Sequence, residues 1–164
     1  MKKFLLIIFV FTLFIACTSD KTTMYYLIRH AEKDRTNDTN KNPNLNSDGL
    51  LRAKRWAKHF EFIELDAVYS TDYNRTQQTA APTAKSKDLI VQSYNSSKMY
   101  DSIFKKNTKG KTVLVVGHSN TTPVFANTIL SQKKYKDMED NDNASLYIIT
   151  VFNDKKSSEI KKVN

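Results

Sequence analysis

The sequence predicts a three-layer α/β/α domain with a central, mostly parallel sheet. Three observations carry that expectation. Short apolar, β-prone runs alternate with amphipathic helical stretches along most of the chain. Residues 112–116 are almost wholly β-branched and apolar, the composition of a strand covered on both faces. The length of 164 residues suits one domain with a sizeable core, and no internal repeat divides it.

The N-terminal segment stands apart from that domain. Lys2 and Lys3 form a positive stretch, and residues 4–15 form an apolar run too short to cross a bilayer comfortably. Cys17, the chain's single cysteine, follows Ile15 and Ala16. This arrangement resembles a bacterial lipoprotein signal, although Phe14 stands where such signals usually carry leucine. The resemblance implies that residues 1–16 are removed, that Cys17 carries the lipid, and that the protein is exported and anchored in the envelope, periplasmic or outer-surface. Residues 17–23 then read as a tether and residues 24–164 as the domain. A lone cysteine leaves no internal disulfide to form.

Within the domain, residues 24–28 read as a buried strand. Residues 34–46, rich in Asn, Asp, Thr and Lys and holding Pro43, read as a mobile loop. Ser47 or Asp48 is placed to cap a helix over about 49–62, with Leu50, Ala53, Trp56, Ala57 and Phe60 on its apolar face. His59, among charges on that helix, reads as a surface or boundary residue. A short strand at 67–70 leads through a polar turn, 71–74, into a helix that carries Arg75 and that Pro82 is expected to kink or end. A strand at 89–92 and a helix at 98–106 follow. After the 112–116 strand comes a helix at 121–130, whose first turn tolerates Pro123. Residues 145–152, a turn at Asn153 and Asp154, and residues 158–163 form a terminal strand pair.

The formal charge is +9, and +7 once residues 1–16 and their two lysines are removed. The basic residues are scattered, with small clusters at Lys133-Lys134 and near the C-terminus. No long basic block or aromatic-interleaved basic string supports a nucleic-acid partner. Such a field draws anionic, phosphorylated substrates toward a pocket and suits a position near anionic lipid headgroups.

Two of the three histidines stand where an apolar strand stops: His30 in Arg29-His30-Ala31-Glu32 and His118 in Gly117-His118-Ser119-Asn120. Open α/β sheets build their sites at such strand ends. Arg29 and Arg75 offer planar, permanently charged forks for phosphate oxygens. The imidazoles can serve as neutral nucleophiles or cationic stabilisers near neutral pH. Phosphoryl transfer needs an in-line nucleophile and neutralisation of three equatorial oxygens, and these four residues meet that demand without a metal or cofactor.

In order along the chain, these segments resemble the histidine phosphatase superfamily, the phosphoglycerate-mutase-like proteins, in its short single-domain branch. Arg29-His30-Ala31-Glu32 is similar to the family's Arg-His-Gly signature, with Ala31 in place of glycine. Leu45, Ser47-Asp48-Gly49 and Ala53 are similar to its Leu-Thr-x-x-Gly-x-x-x-Ala helix start. Ala67-Val68-Tyr69-Ser70-Thr71 through Arg75 and Gln78-Thr79-Ala80 is similar to its Ser-x-x-x-Arg-x-x-x-Thr-Ala segment, and Gly117-His118-Ser119 to its second histidine motif. The resemblance implies that His30 attacks phosphorus and becomes a phosphohistidine that water resolves, that Arg29 and Arg75 grip the phosphoryl oxygens, and that His118 stabilises the transferring charge. Ser119 and Asn120, by position, are expected to line the pocket.

The family's usual acid would follow a tyrosine, where this chain reads Tyr94-Asn95, and an amide cannot supply a proton. Glu32, beside the nucleophile, and Asp101, on the expected 98–106 helix, are the candidate donors. Losing general-acid help costs about 10²–10⁴-fold, less where the leaving group is already good. The chain has little room for the insertions that cap mutase sites. The expectation is therefore a metal-independent phosphoric monoester hydrolase acting on a small phosphorylated substrate or phosphorylated envelope component. The alternative is a catalytically weak or inactive phosphate-ligand-binding lipoprotein on the same fold.

Overall fold

Apolar side chains project from both faces of the central strands, because helices cover both sides of the sheet. A computed structural model describes residues 21–163; Cys17 and the signal-like segment lie outside the described residues. Among the described residues the elements run β1 (Thr23–Arg29), α1 (Ser47–His59), β2 (Ala67–Ser70), α2 (Asn74–Ser86), β3 (Val91–Ser93), α3 (Ser102–Thr108), β4 (Thr112–Gly117), α4 (Thr121–Leu130), β5 (Ser145–Phe152) and β6 (Lys155–Lys162). The strand order is β3-β2-β4-β1-β5-β6. The first four in that order are parallel, and β5 and β6 add an antiparallel pair at one edge. The mixed, mainly parallel α/β sheet matches the predicted class.

Alternation along the strands divides the core into two layers. Tyr25 and Leu27 of β1 and Val113 and Val115 of β4 meet Phe104 of α3 and Phe125 and Ile129 of α4. Ile28, Leu114 and Val116 point the other way, onto Trp56 of α1, the following Phe60, and Ala80 and Ala84 of α2.

Several boundaries differ from the sequence reading, each for a local reason. Asn46, rather than Ser47 or Asp48, caps α1: its backbone is extended and its side-chain carbonyl accepts the Gly49 N–H at 2.9 Å. The buried stripe of α1 runs through Gly49, Ala53 and Trp56, so Leu50 is half exposed at 50%. Pro82 does not end α2, which continues to Ser86 with Thr83 and Ala84 buried. β3 starts at Val91 because Leu89 is used to close α2, its N–H donating to the Ala84 carbonyl, with Asp88 at φ 53°. α3 starts at Ser102 because Tyr100, at φ 58°, interrupts any helix begun at residue 98. β1 begins at Thr23, inside the expected tether, and β6 begins at Lys155 rather than at residue 158. The 34–46 segment carries tertiary hydrogen bonds, from the Leu45 N–H to Gln78 Oε1 at 2.8 Å and from the Asn74 N–H to Asn42 Oδ1 at 2.8 Å. His59 is exposed at the end of α1, edge-on to Trp56 and Phe60.

Gly49 is where α1 meets the chain just after β1. A Cβ at this position would stand 2.1 Å from the Glu32 carbonyl oxygen, a backbone atom that cannot swing aside. Gly49→Ala is therefore expected to destabilise the domain by about 1–3 kcal/mol, the range for overpacking. Urea denaturation of the variant measures this; an unchanged midpoint would show that the backbone gives way freely.

Candidate active site

Parallel pairing of β1 with β4 sets Arg29 opposite Gly117, so the residues that follow, His30 and His118, emerge side by side. Their ring centroids lie 5.5 Å apart at an interplanar angle of 67°. The His30 N–H donates to the Gly117 carbonyl at 2.9 Å, and the His30 carbonyl accepts from Asn143 Nδ2 at 2.8 Å. The Ala31 N–H donates to Thr79 Oγ1 of α2 at 2.9 Å. The Ala31 methyl is fully buried with Leu45 and Ala53, so alanine fits where the family motif has glycine. At Gly117 a Cβ would lie 3.0 Å from Thr121 Oγ1, Thr122 Oγ1 and Tyr94 Oη, and glycine lets β4 turn into α4 through that crowded point.

Hydrogen bonding fixes opposite tautomers on the two rings. His30 Nδ1 lies 2.7 Å from the Ala31 carbonyl, which can only accept, so Nδ1 carries the proton and Nε2 keeps its lone pair. On His118, Nδ1 faces Arg75 Nη2 at 3.4 Å, a group that can only donate. The His118 proton therefore sits on Nε2, which donates to Thr71 Oγ1 at 2.9 Å. Thr71 in turn donates to Thr76 Oγ1 at 3.0 Å, and Thr76 to the Thr71 carbonyl at 2.8 Å. Burial, reinforced by the nearby cations, lowers His30 to about 3 and His118 to about 4, so both rings are neutral at pH 7.

The two arginines are held differently. Arg29 is buried, donating through Nη1 to the Glu139 and Asp140 carbonyls at 2.9 and 2.8 Å and through Nη2 to Asp140 Oδ1 at 2.9 Å. Arg75 makes only long contacts, to His118 and at 3.5 Å to the Lys41 carbonyl, while its guanidinium stacks 4.5 Å above the Tyr73 ring. The Nε of each of these two arginines is buried with no hydrogen-bond partner among the described residues. Burial lowers the Arg75 pKa from its ordinary value.

Arg29, His30, Arg75, His118, Ser119 and Asn120, all singled out from the sequence, line one cavity of about 530 Å³. Lys33, Tyr73, Ser96 and Asp140 line it too, and the sequence reading did not mark them. A larger, polar cavity of about 1040 Å³ adjoins it, sharing Arg29, His30, Lys33 and Asp140.

Neither expected proton donor is free for that role. Both carboxylate oxygens of Glu32 accept from Arg52 Nε, at 2.7 and 3.0 Å. Asp101 is exposed and caps α3, accepting the Phe104 N–H at 2.8 Å, and does not line the histidine cavity. Asn95 closes a local turn onto the Ser97 N–H and hydroxyl, and its neighbour Ser96 reaches the cavity instead. Asp140 is the carboxylate that does line it, but hydrogen bonds from Arg29, with the charge of Arg35 at 2.8 Å, hold it below the usual carboxylate range. It is a base at neutral pH. Nothing in the sequence around Asp140, more than a hundred residues beyond Arg29, signalled this pairing. Among the described residues no group of three or more His, Cys, Asp or Glu is placed to hold a metal ion.

Comparison with known proteins bears on the fold. The family model of the histidine phosphatase superfamily, branch 1, matches residues 25–96. No curated protein matches the chain significantly. A phosphoglycerate mutase from Bacillus anthracis superposes with a TM-score of 0.66 at 16% identity, over 85% of this chain and 92% of its own. A phosphoserine phosphatase from Entamoeba histolytica, in complex with phosphoserine, gives 0.66 at 14% identity, over 87% and 97%. A mycobacterial glucosyl-3-phosphoglycerate phosphatase gives 0.63 at 12% identity, over 88% and 99%. At these identities the likeness establishes the fold.

The neutral imidazoles set a pH dependence. Both fall below the ordinary value of 6.5 in the folded chain, so the unfolded chain takes up protons first as pH drops. The stability they contribute is complete above about pH 6.5 and is lost toward about pH 4 and about pH 3. The buried His30 alone accounts for up to about 1.4 kcal/mol per pH unit in that window. Urea unfolding at pH 7 and pH 5 should show a smaller loss for His30→Gln than for the unsubstituted chain.

Proposed function

We propose that this chain, whose residues 25–96 match the histidine phosphatase superfamily model, is a member of that superfamily and a metal-independent phosphohydrolase whose nucleophile is Nε2 of His30. The observation that carries the reading is the opposed tautomers in one cavity: a free lone pair on His30 beside a neutral His118, with the under-committed fork of Arg75 next to them. Nε2 attacks phosphorus as the bond to the leaving oxygen breaks. The His30 ring becomes an imidazolium, whose Nδ1–H is already aimed at the Ala31 carbonyl. Arg75 and Arg29 take the charge on the phosphoryl oxygens. A phosphate dianion offsets the neighbouring cations that depress His118, favouring its protonation and a further positive contact on the transferring group. Water then attacks phosphorus, the P–N bond breaks, and inorganic phosphate leaves with His30 neutral again.

Hydrolysis, rather than return of the phosphoryl group to another position of the substrate, is supported by solvent access: His118 and Ser119 are only partly buried and Asn120 is exposed. With Glu32 held by Arg52, Asp101 capping α3 and Asp140 bonded to Arg29, the departing oxygen takes its proton from water. The reading therefore favours phosphate compounds with good leaving groups, whether small molecules or phosphorylated envelope components. Export with lipid attachment at Cys17 belongs to the same proposal and rests on Lys2, Lys3 and the apolar run before that cysteine.

The engagement of Glu32, Asp101 and Asp140 also favours a second reading, a protein that binds a phosphate ligand without turnover. One assay separates the two. The purified chain is expected to hydrolyse p-nitrophenyl phosphate in EDTA, far faster than alkyl phosphates, and to yield an alkali-stable phosphoenzyme on rapid quench. His30→Ala should reduce both to background, and Arg75→Ala should lower turnover by about 10²–10³-fold. Vanadate binding without any turnover would favour the second reading, and full activity in His30→Ala would exclude the mechanism. For the anchor, Cys17→Ser should move the protein from the membrane fraction to the soluble one.

A further inference from the structure

The N-terminal ends of the parallel strands, opposite the histidine cavity, carry a concentration of lysines that the phosphoryl chemistry does not use. Lys21, Lys105 and Lys109 line one small basic depression with the Asn153–Asp154 turn. Lys21 lies against Gly110, and Lys111 follows at once, its carbonyl accepting the Met24 N–H at the start of β1. Lys155 and Lys156 enter β6 on the far side of the same turn, opposite Phe152 and Val151. All six lysines are exposed. Among the described residues, Asp154 is the one acid that lines the depression. An aromatic ring stands at the same end, Phe152, 43% exposed at the tip of β5.

We propose that this end of the sheet is a docking surface for an anionic lipid bilayer. The apolar stretch, residues 4–15, and Cys17 both precede Lys21 and β1 in the chain, so any attachment through them leads into the domain at this end. Whether that stretch is retained or is replaced by a lipid on Cys17, it brings this end of the domain to a membrane, and the lysines meet the headgroups there. β1 is seven residues long, so the catalytic cavity at its other end stands about 20 Å away and faces water. A soluble substrate could then enter while the domain stays seated. The proposal stands whether or not Cys17 carries a lipid.

The test is co-sedimentation of the full chain with phosphatidylcholine vesicles, with and without phosphatidylglycerol. Phosphatidylglycerol should raise the bound fraction, and added salt should release that increment. Lys105→Glu/Lys109→Glu should cut the phosphatidylglycerol-dependent partitioning by about tenfold or more while leaving p-nitrophenyl phosphate turnover unchanged. Lys54→Glu/Arg55→Glu, an equal charge change on the exposed face of α1, should leave partitioning near that of the unsubstituted chain. Equal sedimentation with both vesicles overturns the proposal, as does equal loss in the two variants. Salt-sensitive binding of single-stranded RNA with no preference among vesicles also overturns it. The salt response of the unsubstituted chain decides the matter should the Lys105/Lys109 variant not fold.

Discussion

One strand pairing governs the site. β4 lies beside β1 in parallel register, Arg29 opposite Gly117, and the two backbones remain bonded one step further through the His30 N–H and the Gly117 carbonyl. Two histidines far apart in sequence are thereby delivered to a common edge with their rings in contact range. Gly117 is part of this constraint, since its missing Cβ leaves room for the hydroxyls of Thr121 and Thr122 and for Tyr94. A register slip of one residue would turn every side chain of β4 to the opposite face and empty the cavity of His118.

Around that pairing, hydroxyls and amides do the positioning. Thr79 of α2 receives the Ala31 N–H and donates to the Arg75 carbonyl, so one side chain ties the histidine strand to the arginine helix. Gln78 beside it receives the Leu45 N–H, and Ala80 is fully buried in the core. Three consecutive residues thus fasten a loop, a strand end and a helix. Thr71 and Thr76 likewise fix the His118 tautomer.

This explains what could be read in the sequence. The alternation of strand and helix, the covered strand at 112–116 and the set Arg29, His30, Arg75, His118, Ser119 and Asn120 were legible, because each depends on local pattern or on a fixed offset from a strand end. Capping by Asn46, the late start of α3 and the persistence of α2 past Pro82 were not, because they turn on single backbone conformations and on burial of neighbours. The proton-donor candidates failed for a related reason. A carboxylate's role depends on its partner, and Arg52, the Phe104 N–H and Arg29 are each invisible as partners until the chain is folded. Asp140 shows the same limit from the other side, entering the cavity from a polar segment that no periodicity marks.

The depth of the two imidazoles has a consequence for how the cavity meets its surroundings. Histidine is ordinarily the side chain that switches charge between pH 5 and 8. Here burial places both rings below that range, while arginine stays charged throughout it. The cavity therefore offers the same electrostatic face to an incoming anion in a mildly acidic environment as in a neutral one. A change of solvent pH across that range does not alter the charge of either ring.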